Sequence, residues 1–268
     1  MFPWFIESIG LSSYFTLMML AFYLTARFAA FFAPTFNIRP ERMIDLTIIL
    51  FLCGVLGARI LHVVAEDYPG KPGHPVWEYY LEDPLNFFKF WQGGFALYGG
   101  YLLSALAFFI YIFKNNLNWR PFADISCISL ALGTAIGRFG CFLGGCCFGA
   151  KSDSIFAMDF PSLTHSVHPT QLYHTFSNLF IFLYLYLFTK RKYENNEMID
   201  GQAFSLFVIL YSISRFMIEF LRDDNRGLYF NDLLSTSQLI SLSLLPIGIF
   251  FFYYFGKTRS KLKAKSKN

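Results

Sequence analysis

Seven apolar stretches alternate along the chain with polar, proline-bearing or charged breaks. A helix needs roughly 20 residues to cross a hydrocarbon layer of about 30 Å. Windows of that length predict transmembrane helices near residues 11–33, 44–65, 95–113, 122–143, 172–189, 202–221 and 234–256. The pattern therefore predicts an all-α, polytopic membrane protein. Its seven transmembrane helices are joined in part by interfacial extracytoplasmic segments near 66–93 and 144–171.

Composition supports a lipid-embedded chain. Of the 268 residues, 55% are hydrophobic and only 15% are charged, whereas about 25% are charged in soluble proteins. The aromatic share is 21% and the mean hydropathy is +0.42. A soluble monomer and a disordered chain are excluded by these values, and five cysteines are too few for a disulfide scaffold.

The distribution of Lys and Arg predicts the orientation, because cytoplasmic loops are enriched in these residues. One alternate set of loops carries Arg39, Arg42, Lys114, Arg120, Lys190, Arg191, Lys192, Lys257, Arg259, Lys261, Lys263, Lys265 and Lys267. The other set carries only Lys71, Lys89, Lys151, Arg222 and Arg226. The N-terminus is therefore predicted outside and the C-terminus in the cytoplasm, and the first apolar stretch is expected to stay in the membrane rather than be cleaved.

The chain is predicted to end in a basic cytoplasmic tail, residues 257–268, after a membrane domain of residues 1–256. The tail lacks interleaved aromatic residues and follows a span directly. It is interpreted as a segment that lies against anionic lipid and not as a nucleic-acid site.

Three arginines lie late in outward-running spans, at Arg59, Arg138 and Arg215, whereas Arg27 lies near the cytoplasmic face, where it can snorkel. An arginine within a span costs roughly 2.5–3.5 kcal/mol, so these residues need partners or an aqueous cavity. Guanidinium binds phosphate through two parallel hydrogen bonds, which favours a phospholipid headgroup as the ligand. The alternative is a structural role, with pairing to Glu219 or to carbonyl groups.

Polar and glycine residues accompany the arginines at the predicted outer side. Arg215, Glu219 and Arg222 have i, i+4 and i+7 spacing, so one carboxylate is expected between two guanidiniums on one helix stripe. Tyr14 opens the first span, and the glycine-rich stretch 93–100 opens the third. Glycine permits either close helix packing or approach of a ligand to the backbone.

Three cysteines cluster at the outer end of the fourth span, at Cys141, Cys146 and Cys147, and His165 and His168 follow in the next loop. A metal site is one interpretation, although C-x4-C-C lacks the usual spacing of zinc ligands. A disulfide on the oxidising side and simple packing are the others. No metal is assigned from the sequence.

Several of these residues belong to short motifs that occur in a known order. They are Tyr14, Gly57-Ala58-Arg59, Asp83-Pro84-Leu85, Trp91-Gln92-Gly93-Gly94, Tyr98-Gly99-Gly100, Gly137-Arg138-Phe139-Gly140, His168-Pro169-Thr170-Gln171-Leu172-Tyr173, and Arg215-Phe216 with Glu219-Phe220 and Arg222. In these blocks the chain resembles the prolipoprotein diacylglyceryl transferases, which are seven-span enzymes of the bacterial inner membrane.

Two departures mark the chain as a divergent branch of that family. Tyr98 stands where the family has the histidine of a His-Gly-Gly motif. Cys141 and Cys146 stand at the Asn and Glu positions of the family signature, and Gly144 replaces its second Asn. If the missing histidine is a base, another group must accept the proton.

The resemblance implies transfer of the diacylglyceryl group of phosphatidylglycerol to the lipobox cysteine of a preprolipoprotein, with release of glycerol phosphate and without a cofactor. Arg138, Arg215, Tyr98 and His168 are the expected catalytic residues. The expected phosphatidylglycerol contacts are Arg138, Arg215, Arg59, Tyr14, Glu219, Arg222, Gly99 and Gly100. The alternatives are a transferase of the same fold with another lipid or acceptor, and a phospholipid-binding or transport protein without catalysis.

Overall fold

The structure, a computed structural model, describes residues 4–6, 11–68, 71–89, 94–195, 197, 199–222, 228–229 and 234–265. Its α-helices are α1 (Ser13–Phe32), α2 (Pro40–Ala65), α3 (Val76–Glu82), α4 (Leu97–Lys114), α5 (Trp119–Leu143), α6 (Thr170–Glu194), α7 (Gln202–Glu219) and α8 (Thr236–Lys265). Short 3₁₀ helices cover Ala33–Phe36 and Pro84–Phe88.

Three antiparallel strand pairs lie in the connections. They are β1 (Trp4–Ile6) with β2 (Leu11–Ser12), β3 (Asp67–Tyr68) with β4 (Lys71–Pro75), and β5 (Leu228–Tyr229) with β6 (Leu234–Ser235). Each pair is a local hairpin between neighbouring parts of the chain. The predicted all-α class is confirmed.

All the described α-helices except α3 are long and apolar enough to cross a membrane. The seven spans are 13–36, 40–65, 97–114, 119–143, 170–194, 202–219 and 236–257. The sequence-predicted spans agree with them in number and order, which confirms a multi-pass membrane protein. Prolines contribute to the boundaries, since Pro40 occupies the first turn of α2 and Pro169 directly precedes α6.

The chain forms two compact units, of which one comprises residues 38–119. Within it α2 and α4 pack along each other. Gly57 and Gly99 meet at this contact, because a Cβ on either residue would collide with the carbonyl oxygen of the other. Ser104 Oγ donates to the Leu50 carbonyl across the same contact at 2.9 Å. The small residues therefore allow the two backbones to approach closely.

The other unit comprises residues 1–37 and 120–268 and contains α1 and α5 to α8. Its α5 packs on α1, where Gly133 faces Thr25. The buried Asp124 carboxylate of α5 accepts hydrogen bonds from the amides of Gly201 at 2.6 Å and Phe204 at 2.7 Å. This carboxylate accepts hydrogen bonds from amides in the first turn of α7. Its negative charge also interacts favourably with the positive end of the α7 helix dipole.

The connection between α5 and α6 is an ordered loop. Met158 and Val167 exchange two backbone hydrogen bonds of 3.0 Å, and the amide of Ala150 donates to the Leu221 carbonyl at 2.9 Å. Phe160 is 1% exposed and packs on Phe142 and Phe148. The loop is therefore tied both to α5 and to the end of α7, where the polar residues of the second unit gather.

Candidate active site

Arg215 is held by contacts from three helices. Its Nη2 lies 2.8 Å from Glu219 Oε2 on α7 and donates to Ser237 Oγ of α8 at 2.9 Å. Its Nη1 lies 3.1 Å from His174 Nε2 of α6. Because a guanidinium only donates hydrogen bonds, the histidine nitrogen is the acceptor. The arginine is thus fixed in one orientation at the junction of α6, α7 and α8.

The Glu219 carboxylate lies between Arg215 and Arg222, as predicted, although α7 ends at Glu219 and Arg222 therefore lies in the turn after the helix and not on the same helix stripe. Its Oε2 is 4.0 Å from Arg222 Nε, and its Oε1 accepts a hydrogen bond of 3.0 Å from Ser235 Oγ. The side chains of Arg222 and Glu219 are 2% and 5% exposed. Two guanidiniums therefore share one buried carboxylate, and the group keeps a net positive charge.

Arg138, in the last part of α5, adds a further positive charge to this group. Its guanidinium repels that of Arg215 and acts on the Tyr14 hydroxyl. It forms no hydrogen bond or ion pair with any residue that the structure describes. We call Arg138, Arg215, Glu219 and Arg222 the arginine cluster. Three guanidiniums against one carboxylate make it a site that attracts anions.

The three clustered cysteines lie beside Arg138 and are free thiols. Their sulfur atoms all lie within 4.8 Å of one another. Hydrogen bonds from Cys141 and Cys146 lower the pKa of the Cys147 thiol, and the guanidiniums of Arg138 and Arg222 lower it further. The thiolate form of Cys147 is therefore favoured, and it places a negative charge beside the arginine cluster.

The His-Pro-Thr-Gln-Leu-Tyr motif supports this cysteine turn. The fully buried Thr170 and Gln171 donate from Oγ1 and Nε2 to the carbonyls of Cys147 and Cys146, at 3.0 and 2.6 Å. His168 Nδ1 lies 3.2 Å from the Tyr173 hydroxyl. These contacts connect the start of α6 to the end of α5.

His168 also lines an open apolar groove with a volume of about 420 Å³. The other lining residues come from the 144–169 loop, α6 and the end of α7: Ser154, Phe156, Tyr173, Met217, Ile218 and Leu221. The groove offers mainly hydrocarbon contacts, and His168 and Tyr173 are its titratable side chains.

The two tyrosines of the predicted site lie at helix starts. Tyr14, in the first turn of α1, is 38% exposed and packs beside Gly144. Tyr98, in the first turn of α4, is 50% exposed. Gly99 and Gly100 follow it on the α2–α4 contact, so helix packing already accounts for their lack of a side chain.

Arg59 is 1% exposed, and its guanidinium donates hydrogen bonds to backbone carbonyls. Its Nη2, Nη1 and Nε donate to the carbonyls of Asn86 at 2.7 Å, Gly94 at 3.0 Å and Phe87 at 3.1 Å. The ring of Tyr80 lies 5.0 Å from its guanidinium carbon. Arg59 therefore ties the connection between α3 and α4 to α2. The Trp91–Gly93 part of the motif in that connection lies outside the described residues.

Sequence reasoning missed two histidines that contact arginines or a carboxylate. His174 accepts a hydrogen bond from Arg215. Its position one turn after the start of α6 was the feature of the sequence that could have identified it. His62 Nδ1 lies 2.6 Å from Glu66 Oε2, and the ring of His62 packs edge-on against Tyr80. The i, i+4 spacing of His62 and Glu66, directly after Arg59, was the available signal.

The seven apolar helices and the buried basic cluster define a multi-pass membrane protein with a site suited to an anionic ligand. The sequence profile described as prolipoprotein diacylglyceryl transferase matches residues 3–254. The chain belongs to the prolipoprotein diacylglyceryl transferase family, which confirms the resemblance seen in its motifs and makes it a transferase.

Curated relatives agree with this assignment. The chain is 35% identical over 230 residues to phosphatidylglycerol–prolipoprotein diacylglyceryl transferase 2 of Clostridium perfringens, which covers 85% of this chain and 84% of the relative. It is 34% identical over 220 residues to the enzyme of that name from Clostridium tetani, with 79% and 80% covered. It is 31% identical over 238 residues to the enzyme of that name from Streptococcus mutans, and the match covers 87% of this chain and 84% of the relative.

Proposed function

We propose that this chain transfers the diacylglyceryl group of phosphatidylglycerol to the lipobox cysteine of a prolipoprotein. The observation that carries the proposal is the arginine cluster. Arg215 is held in place by Glu219 and His174, while the Arg138 guanidinium has no hydrogen-bond or ion-pair partner among the described residues. A phosphodiester supplies the anion that such a pair of guanidiniums binds.

In the proposed reaction, the sulfur of the lipobox cysteine attacks the glyceryl carbon that bears the phosphate oxygen. A carbon–sulfur bond forms, the carbon–oxygen bond breaks, and glycerol phosphate leaves with the electron pair. Negative charge on the departing phosphate grows in the transition state, so guanidiniums already fixed beside it lower the barrier. In the proposal, Arg138 and Arg215 stabilise this charge. Glu219 and Arg222 hold the side chains of the cluster in position.

The thiol proton needs an acceptor, since the thiolate is the nucleophile. Tyr98 and His168 are the two acceptors that we propose. His168 is favoured by its place on the apolar groove, and Tyr98 by its place in the motif. Separate Tyr98→Phe and His168→Ala variants distinguish them, because only loss of the true acceptor lowers kcat while leaving phospholipid binding unchanged.

The remaining predicted contacts are proposed with roles that follow from their surroundings. We propose a headgroup contact for Tyr14, supported by the exposure of its side chain and by its interaction with Arg138. We assign Arg59 an indirect role, in which its hydrogen bonds to the carbonyls of Asn86, Phe87 and Gly94 hold these three residues in position ahead of Gly99 and Gly100.

The proposal includes a place in the bacterial plasma membrane, with the N-terminus outside. Residues 1–256 form the transferase domain in this proposal, and residues 257–268 form a basic cytoplasmic tail. The Lys and Arg distribution supports it. Protease added to intact spheroplasts is expected to leave a C-terminal tag uncut, and cleavage of that tag would contradict the orientation.

The test is mass spectrometry of a lipobox peptide incubated with phosphatidylglycerol and the protein in detergent micelles. Arg138→Ala is expected to lower formation of the diacylglyceryl adduct by at least about 100-fold, the usual cost of losing a group that stabilises transition-state charge. Arg27→Ala is the matched control, since Arg27 is an exposed arginine of α1. It is expected to keep wild-type activity.

The remaining outcomes are also informative. Full activity of Arg138→Ala would overturn the assignment of the phosphodiester site. Binding of phosphatidylglycerol without any adduct, under conditions in which a relative is active, would replace the proposal by a phospholipid-binding protein. An adduct of different mass would identify another lipid donor.

A further inference from the structure

Cys141, Cys146 and Cys147 form a compact group of thiols, which we call the thiol triad. Cys141 lies in the last turn of α5, and the other two lie in the turn that follows it. All three are free thiols, and their sulfur atoms lie within 4.8 Å of one another. Two sulfurs bonded to one atom at about 2.3 Å lie at most about 4.6 Å apart. A small inward movement of the side chains therefore brings all three sulfurs onto a shared atom.

The turn that carries the triad is held together by hydrogen bonds to its backbone. Cys147 has a φ of 62°, in the left-handed region that is uncommon for residues other than glycine. The fully buried Thr170 and Gln171 donate to the carbonyls of Cys147 and Cys146, at 3.0 and 2.6 Å. The Cys146 amide donates to the Cys141 carbonyl at 3.1 Å. These bonds keep the three thiols together before a ligand arrives, which lowers the entropic cost of binding one.

The triad can be reached from the surface of the chain. The Cys146 side chain is exposed, that of Cys147 is half-buried and that of Cys141 is buried. A ligand can therefore bond to Cys146 first and to the other two sulfurs afterwards. Cys53 in α2 and Cys127 in α5 do not belong to this group.

The number of donor atoms selects the kind of ligand. Within the described part of the chain, no His, Asp or Glu side chain joins the three sulfurs as a further donor. A structural zinc site takes four protein ligands. Trivalent arsenic forms three covalent bonds, strongly prefers the soft sulfur of thiols, and carries a lone pair where a fourth ligand would lie. We propose that the thiol triad binds one trivalent arsenic atom through all three sulfurs.

The binding reaction is an exchange of oxygen for sulfur on arsenous acid, without a change of oxidation state. Three arsenic–sulfur bonds form and three arsenic–oxygen bonds break. Each hydroxide that departs leaves as water, with a proton from a thiol or, where the sulfur is already a thiolate, from solvent. The product is neutral, because three thiolate sulfurs balance one trivalent arsenic. The positive charge of the arginine cluster is therefore kept, and the site binds arsenic whether or not the chain transfers lipid.

The test is an anaerobic titration of the full chain with arsenite in detergent micelles. The reductant is a phosphine, since a thiol reductant would compete for arsenic. One equivalent is expected to bind, and X-ray absorption is expected to show three sulfur neighbours and no oxygen neighbour. Serine at one triad position is expected to weaken binding by at least about 100-fold, because linked contacts raise the overall affinity by about 100- to 10,000-fold.

Two controls separate the loss of one sulfur from a loss of structure. Phenylarsine oxide bonds to only two thiols, so each single serine variant of the triad is expected to keep binding this probe while losing arsenite. The Cys53→Ser, Cys127→Ser double variant changes two cysteines outside the triad and is expected to bind arsenite like wild type.

Three results would overturn the proposal. The first is unchanged arsenite binding when a triad cysteine is replaced. The second is an arsenic atom with fewer than three sulfur neighbours in wild type, or no uptake of arsenite at all. The third is a disulfide within the triad in protein whose thiols were blocked before cell lysis. If Cys141→Ser or Cys147→Ser does not fold, Cys146→Ser decides the question, because the Cys146 side chain is exposed.

Discussion

Replacing Glu219 by Gln removes one negative charge from the arginine cluster while keeping the shape of the side chain. The ion pair with Arg215 has an N–O distance of 2.8 Å, and the two side chains are 11% and 5% exposed. Breaking a buried pair by removing one partner costs about 3–5 kcal/mol, because the other charge stays buried. Here the cost falls on Arg215 and Arg222 together, and Arg138 adds to their repulsion. We expect Glu219→Gln to lose stability in this range.

The chain contains a matched control for this variant. Lys190 and Glu194 form an ion pair with the same i, i+4 spacing, but at 3.9 Å and with side chains that are 53% and 59% exposed. Exposed helical pairs contribute about 0.3–0.5 kcal/mol. Glu194→Gln is therefore expected to change stability by less than about 0.5 kcal/mol, although the chemical change is identical.

The assay is reversible unfolding of both variants and wild type in mixed micelles, followed by tryptophan fluorescence at low salt. Transfer activity is measured on the same samples, where Glu219→Gln is expected to lower kcat because Arg215 loses its orienting partner. The reasoning would be refuted if the two variants lost the same stability. It would also fail if Glu219→Gln were destabilised but fully active, since the carboxylate would then support the fold alone.

Two further predictions each compare a variant with a matched control. Gly57→Ala is expected to destabilise the chain by about 1–3 kcal/mol, because its methyl group would meet the α4 backbone. Gly137→Ala adds a methyl group with nothing within 4 Å, so it is expected to be neutral or stabilising when both variants are unfolded by heat. His174→Phe is expected to reduce kcat/KM by at least about tenfold through loss of one hydrogen bond to Arg215, at about 1.5–3 kcal/mol for a bond to a charged group. His165→Phe, an exposed loop position, should leave kcat/KM unchanged, and equal effects of the two changes would contradict the role of His174.

Local sequence was sufficient for the features that depend on spacing along one helix. The seven spans follow from runs of apolar residues, since a helix in lipid must be apolar over its length. The pairing of Arg215 with Glu219 follows in the same way, because residues four apart share a helix face. Arg222 lies in the turn after α7, so its approach to Glu219 was not a consequence of helix spacing alone. The motifs along the chain also indicated the family, and the match of the family profile to residues 3–254 confirms it.

Only the tertiary structure decided which partner each buried polar group takes. Arg59 and Arg215 looked alike in sequence, yet Arg59 binds the backbone carbonyls of Asn86, Phe87 and Gly94. Arg215 instead binds a carboxylate, a serine and His174. The closeness of Cys141, Cys146 and Cys147 likewise depends on a left-handed turn at Cys147 that a different helix supports. The physical reason is that a buried donor or sulfur takes the nearest acceptor in space. Residues far apart in sequence supply these acceptors, and no local pattern specifies them.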